Sequence, residues 1–290
     1  MQLRFTISYS ILSLLGIERM KTMNVRQLVR TLVVSTKNLL LGGNLASFSL
    51  LHPKKMVFYA TECLFYLDTM YSKRGITEKN VFEVLKPEGE VQQISLVCPD
   101  TGGTWFNPLS SRASDIVSLC LICQILKPKV VFEIGTLKGY TAYHFALNTP
   151  EDAIIYTLDL PQGGSVKPSL PTTTVDDLMI KSYFRPGKYW FQDTPAASKI
   201  VCLYGDSATF DYSEFEGKVD FFFIDGAHSY EYVRNDTMKA LYCCHSGSVI
   251  AWHDFGRRGV NGVRKWILEL SKKYEIYAIP GGTLAFMVVP

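Results

Sequence analysis

Asp225-Gly226-Ala227-His228 and His253-Asp254 place acids beside histidines directly after two apolar runs, Val219–Ile224 and Ser248–Trp252. Carboxylates such as Asp225 and Asp254 bind a hard cation through oxygen. Histidines such as His228 and His253 accept a proton near neutral pH and so serve general acid–base work. An isolated histidine is ordinarily a hydrogen-bonded core residue. Two acids and two histidines at the ends of adjacent strands point instead to a reactive rim.

A second group follows Val130-Val131-Phe132, in Glu133-Ile134-Gly135-Thr136-Leu137-Lys138-Gly139. Gly135 and Gly139 allow a tight turn and close backbone approach to a ligand. The following helix offers free N–H groups. Position 137 is Leu, so the spacing is not G-x-G-x-x-G, and a dinucleotide pyrophosphate is disfavoured. About 20 residues further on, Asp159-Leu160 closes the run Ile154–Leu158, where an acid accepts the hydroxyl hydrogens of a ribose. Alone, Asp159 would read as a cap; behind the glycine loop it reads as a ribose ligand. Asp206-Ser207 closes a third run, where Asp206 could take an adenine amino group or cap the next turn.

These groups need a scaffold that brings strand ends together. Short β-branched runs alternate with helical stretches from Ser114 onward: helix Ser114–Leu126, strand Val130–Ile134, helix Gly139–Leu147, strand Ala153–Leu158. Strands Lys199–Leu203, Val219–Ile224 and Ser248–Trp252 follow, with helices Tyr230–Cys244 and Val260–Lys273. Tyr274–Ile279 and Thr283–Val289 flank Pro280-Gly281-Gly282 as a β-hairpin. Alternation of this kind predicts an α/β, Rossmann-like, doubly wound sheet, mostly parallel, with an antiparallel strand from the terminal hairpin. Ligands bind such sheets beyond the carboxyl ends of the strands, at the switch point. Residues 161–199 interrupt the alternation with prolines, Gly163-Gly164 and the aromatics Tyr183, Phe184, Tyr189, Trp190 and Phe191. An insert of that length reads as a lid or binding loop.

The domain is therefore expected over 111–290, behind a basic, mainly helical extension over 1–110 with helical stretches at Met23–Leu41 and Lys55–Tyr71. Residues 1–60 carry a net charge of +7 and the remainder −4, within a total of +3 over 290 residues. A basic arm on a mildly acidic body suits an anionic neighbour, such as a membrane surface, or simply a solvated helix face. No aromatic-interleaved basic motif supports nucleic-acid binding. Self-association is left open. The seven cysteines show no disulfide framework; Cys120-Leu-Ile-Cys123 lacks a second ligand pair and reads as core. Reduced thiols, no spanning segment and no cleavage site after the weakly apolar Ile7–Ile17 fit a cytoplasmic protein with peripheral membrane contact as an option.

The joint pattern resembles the class I S-adenosylmethionine-dependent methyltransferases. Most similar is a bacterial family with a D-G-x-H-S-Y-E-x-V-x-x-D signature, here Asp225-Gly226-Ala227-His228-Ser229-Tyr230-Glu231-Tyr232-Val233-Arg234-Asn235-Asp236. The resemblance covers a little over half the chain. It implies a seven-stranded sheet with S-adenosylmethionine held by Glu133, Gly135, Thr136, Gly139, Asp159, Leu160, Asp206, Ser207 and Asp225. It implies methyl transfer to the hydroxyl of a small molecule or sugar. Distant similarity to catechol-type O-methyltransferases implies a cation, such as Mg²⁺, at Asp225 and Asp254. Phe255 stands where that group has an Asn ligand, His253 offers a replacement, and His228 stands in the place of its lysine base. Alternative readings are a nucleotide-binding oxidoreductase and a non-catalytic cofactor-binding protein.

Overall fold

The computed structural model describes residues 75–87, 89–91, 93–97, 113–161, 164, 166–183, 187–256 and 261–290. The chain divides into two compact units, Met1–Tyr66 and Leu67–Pro290, and the account below concerns the second. The helices expected over Met23–Leu41 and Lys55–Tyr71, and the basic arm with them, lie outside the described residues. Among the described residues, no helix is long and apolar enough to cross a membrane.

Eight strands form one sheet: β1 Thr77–Glu78, β2 Val130–Ile134, β3 Ile154–Asp159, β4 Ile200–Tyr204, β5 Val219–Ile224, β6 Cys244–Trp252, β7 Tyr277–Ala278 and β8 Ala285–Val288. Their spatial order is β1-β7-β8-β6-β5-β2-β3-β4. Only β8 runs against its neighbours β6 and β7. This is the expected Rossmann-like sheet with an antiparallel strand from the terminal hairpin. The eighth strand, β1, pairs in parallel with β7 and comes from before residue 111. Two residues are too few to show a period-2 pattern, so the sequence carried no sign of it.

The described helices are α1 Val81–Leu85, α2 Ala113–Leu126, α3 Tyr140–Asn148, α4 Thr174–Tyr183, α5 Tyr230–Cys243 and α6 Asn261–Leu270. The sheet is covered on both faces, which is why its central strands are mostly apolar rather than alternating. In β5, Phe222 and Ile224 face a core completed by Val233, Trp252, Trp266 and Ile267. Phe221 and Phe223 face the other core, with Leu119, Ile122, Phe145 and Phe286. Cys120 and Cys123 lie buried there as free thiols, and burial pushes Cys120 up to about 12. They pack, as the sequence suggested. Burial of each phenylalanine contributes about 1.5–3 kcal/mol, so the three in β5 anchor the strand that carries Asp225.

Local chemistry starts α5 at the right place. Ser229 is its N-cap, accepting from the Tyr232 N–H at 3.2 Å. Two turns further, the Thr237 hydroxyl donates to the Val233 carbonyl and accepts from the indoles of Trp252 and Trp266, each at 2.9 Å. Both buried indole N–H groups are thereby satisfied. The helix is thus pinned to β6 and α6, and the loop before it is held at the sheet's rim.

Candidate active site

The sheet order brings the carboxyl ends of β4, β3, β2, β5 and β6 side by side, and the chemistry-bearing residues follow those ends in turn. From β2 the chain winds through α3 to β3, whereas β5 lies on the opposite side of β2. The switch point therefore falls between β2 and β5, where a ligand crevice opens.

The turn after β2 is built for close approach. Gly135 has φ +104°, and a Cβ there would lie 2.1 Å from the Asp225 carbonyl oxygen. Gly139 has φ +75°, and a Cβ there would lie 2.3 Å from the Phe191 ring. Both positions exclude a side chain on conformation and on space. The Asp159 carboxylate fixes the same turn: Oδ2 accepts from the Leu137 N–H and Oδ1 from the Leu160 N–H, each at 2.7 Å. Burial raises the Asp159 pKa, against those hydrogen bonds. Each carboxylate oxygen keeps a lone pair for a further donor.

Glu133 is 1% exposed at the end of β2. Its Oε2 accepts from Thr157 at 2.5 Å, and the Thr157 hydroxyl lies 2.7 Å from that of Thr136. Its Oε1 is buried with no hydrogen-bond partner. Burial pushes Glu133 up to about 8, with the charges of Asp225 and Asp159 adding and the Thr157 bond opposing. An orphaned buried carboxylate oxygen costs free energy unless a donor or cation reaches it. This is the feature of a cradle for a cationic ligand.

Asp206 is placed differently from expectation. Its Oδ2 accepts from the Ser169 N–H at 2.8 Å, and its Oδ1 accepts from the Tyr232 hydroxyl at 2.8 Å and the Ala208 N–H at 3.1 Å. Those bonds hold its carboxyl below the usual range despite burial. The insert's own backbone thus engages one oxygen of the carboxylate expected to take an adenine amino group. Ser207 contributes its carbonyl, which accepts from Tyr212 and Asn235.

The rim after β5 and β6 is a chain of buried acids and imidazoles. His228 Nδ1 lies 2.5 Å from Asp176 Oδ1, and His228 Nε2 lies 2.8 Å from Asp254 Oδ2. Burial pushes His228 down, but the two carboxylates outweigh it and raise the pKa to about 10. Both ring nitrogens thus face carboxylate oxygens, so the residue expected to be the general base is paired on one side with Asp176 of α4 and on the other with Asp254 after β6. His253 Nδ1 lies 3.1 Å from Asp225 Oδ1 and 3.3 Å from Asp254 Oδ1; its Nε2 lies 3.4 Å from Thr283 Oγ1 and 3.6 Å from Asp115 Oδ2. Burial pushes His253 down, but Asp225 and Asp254 raise it well above the ordinary value. Ligand-capable atoms of Asp225, His253 and Asp254 all lie within 4.8 Å of one another. The two acids expected to share a cation are together, and His253 joins them.

Two participants escaped the sequence. Asp176, in the first turn of α4, and Asp115, in the first turn of α2, are 4% and 1% exposed. In a sequence, acids there read as helix-dipole partners. The aromatic insert supplies a wall formed by Tyr189 and Phe191, stacked at 5.2 Å with planes 4° apart. It borders an open groove of about 570 Å³ with Pro161, Gln192, Cys202 and Tyr204. The aromatic run in the insert was its visible signal.

Residues 132–255 match a family model described as a methyltransferase domain. No curated protein matches the chain by sequence. Among solved structures, the chain is similar to the O-methyltransferase TomG of Streptomyces achromogenes in complex with SAM, at 17% identity over 61% of this chain and 81% of that one, TM-score 0.42. An O-methyltransferase of Bacillus cereus in complex with SAH matches at 17% identity over the same shares, TM-score 0.43. SAH-bound PaMTH1, a methyltransferase of Podospora anserina, matches at 14% identity over 61% and 78%, TM-score 0.44.

Proposed function

We propose that this methyltransferase domain uses S-adenosylmethionine to methylate an oxygen of a small-molecule acceptor, a phenol or sugar hydroxyl. The observation that carries the cofactor reading is the partnerless Glu133 Oε1, buried beside a turn whose two glycines leave no room for side chains. A buried acid with an open acceptor fits the ammonium of an amino-acid tail. Asp159 fits ribose hydroxyls at the end of β3. S-adenosylmethionine, when bound, supplies the electrophilic methyl group. The protein's share is to orient the acceptor, exclude water and receive a proton, and positioning of this kind accounts for much of the acceleration.

Asp225 is the group suited to meet the acceptor. Its side chain is 27% exposed, whereas those of Asp254 and His253 are at 4% and 10%. Its carboxylate can therefore accept a hydroxyl hydrogen bond from the solvent side. Asp225 and Asp254 would hold a divalent cation, which supplies Lewis acidity to the same hydroxyl. The aromatic insert closes the acceptor side.

Calorimetry with S-adenosylhomocysteine tests the cofactor. The wild-type protein binds it, and Asp159→Ala or Glu133→Gln weakens binding by about tenfold or more, consistent with 1.5–3 kcal/mol for a hydrogen bond to a charged group. Unchanged binding in both variants would falsify the assignment. Transfer of a labelled methyl group to a panel of phenols, sugars, amines and thiols tests the acceptor; labelling confined to nitrogen or sulfur nucleophiles rules out oxygen.

A further inference from the structure

We propose that Asp225, His253 and Asp254 bind a first-row transition metal ion in preference to Mg²⁺, with Asp115 and Asp176 positioning its ligands. The inference deepens the reading above, because the ion would sit at the strand ends assigned to the acceptor hydroxyl.

The first argument is geometric. His253 Nδ1 is buried without a hydrogen-bond partner. It lies 3.1 Å from Asp225 Oδ1 and 3.3 Å from Asp254 Oδ1. Ligands bonded at about 2.1 Å and adjacent in an octahedron are about 3.0 Å apart, and about 3.4 Å apart in a tetrahedron. His253 Nδ1 already has that spacing to each carboxylate.

The second argument is what holds the far side of each ligand. Asp115 accepts from the Thr283 N–H and hydroxyl, each at 2.8 Å, and presents Oδ2 toward His253 Nε2. A carboxylate behind the distal nitrogen keeps the proton there and leaves the Nδ1 lone pair for an ion. Asp254 Oδ2 is taken by His228 Nε2, which turns Oδ1 toward His253; His228 is held in turn by Asp176. The supporting acids come from α2 and α4, remote in sequence, yet both back this one site.

The donor set decides the ion. Mg²⁺ takes oxygen ligands and retains water, whereas imidazole favours Mn²⁺, Fe²⁺, Co²⁺, Ni²⁺ or Zn²⁺.

The test uses full-length protein, stripped with chelator and titrated calorimetrically with CoCl₂, MnCl₂ and MgCl₂, with S-adenosylhomocysteine titrated separately. Cobalt absorption reports the nitrogen ligand. One equivalent of Co²⁺ or Mn²⁺ is expected to bind at least about 100-fold more tightly than Mg²⁺. His253→Asp, an all-oxygen site, narrows that gap to below about tenfold and removes the nitrogen signature. Asp115→Asn and Asp176→Asn each lower Co²⁺ affinity by about 10- to 100-fold. If either fails to fold, Thr283→Val loosens Asp115 and gives the same direction. Equal affinity for Mg²⁺ and Co²⁺ overturns the proposal. So does absence of metal uptake by protein that still binds S-adenosylhomocysteine. Metal uptake with no S-adenosylhomocysteine binding supports the site and removes only the cofactor reading.

Discussion

Glu133 shows how one residue's environment becomes a measurable property. Buried and half-partnered, its carboxyl titrates at about 8 against an ordinary 4.5. A cationic ligand at Oε1 stabilises the ionised form and lowers that value. Near pH 7 the free protein holds the proton, so binding must release it. S-adenosylhomocysteine affinity should therefore rise from pH 6 to pH 8. At pH 7 the apparent binding enthalpy should change with the ionisation enthalpy of the buffer. Glu133→Gln abolishes both effects; proton uptake on binding would contradict the assignment. The same scale explains His228. Its sequence setting, three residues past Asp225, suggested the role of a base; the partner that meets its Nδ1, Asp176, lies 52 residues away.

At the scale of elements, strands and helices were legible because buried parallel strands are continuous apolar runs and their helices have ordinary stops. Val130–Ile134 and Val219–Ile224 were read with their observed bounds. β6 begins at Cys244 rather than Ser248, because polar His245 and Ser246 interrupt the apolar pattern while the backbone stays extended. The insert was legible as an aromatic interruption, but not as two devices. Its α4 delivers Asp176 to His228, and its Tyr189–Phe191 wall packs on Gly139. Tertiary contact made both, and no local pattern encodes it. α5 yields a comparison of cap and clamp. Ser229→Ala should cost about 1 kcal/mol. Thr237→Val strands two buried indole N–H groups and should cost more, about 1–3 kcal/mol for each. Urea denaturation of the two variants measures the order; a Thr237→Val cost below that of Ser229→Ala would refute the clamp.

For the whole molecule, buried acids set a pH dependence. Burial pushes Asp236, fully buried on α5, up to about 7. Its folded pKa lies above its unfolded value, so the folded state binds more protons between about 4 and 7. Stability from this group is greatest below that window and declines as pH rises through it. Asp236→Asn cannot ionise, so its melting temperature relative to wild type should rise from pH 4 to pH 8. A constant difference across that range would show that Asp236 is not the source. His228 acts in a different window: raised to about 10, it stabilises fully below about 6.5 and loses that contribution as pH climbs through 10. The fold class and ordering of the strand-end residues could be read from the chain, since neighbouring elements dictate them. Asp115 could not, because its partner Thr283 is 168 residues away.

That stitch from Asp115 to Thr283 also says something about time. α2 opens the doubly wound part of the domain and Thr283 precedes its last strand, so their bond closes nearly the whole loop of chain between them. Contacts of such sequence separation form late, after loop-closure entropy has been met by many others. Secondary structure and the Trp252 and Trp266 environments should thus recover early on refolding from urea, and ligand binding at His253 should recover last. Stopped-flow circular dichroism and fluorescence followed by a delayed Co²⁺ pulse would resolve the order, and simultaneous recovery would mean that the rim assembles with the sheet. The enzyme acquires its chemistry only when the newest part of the chain has come home to the oldest part of the domain.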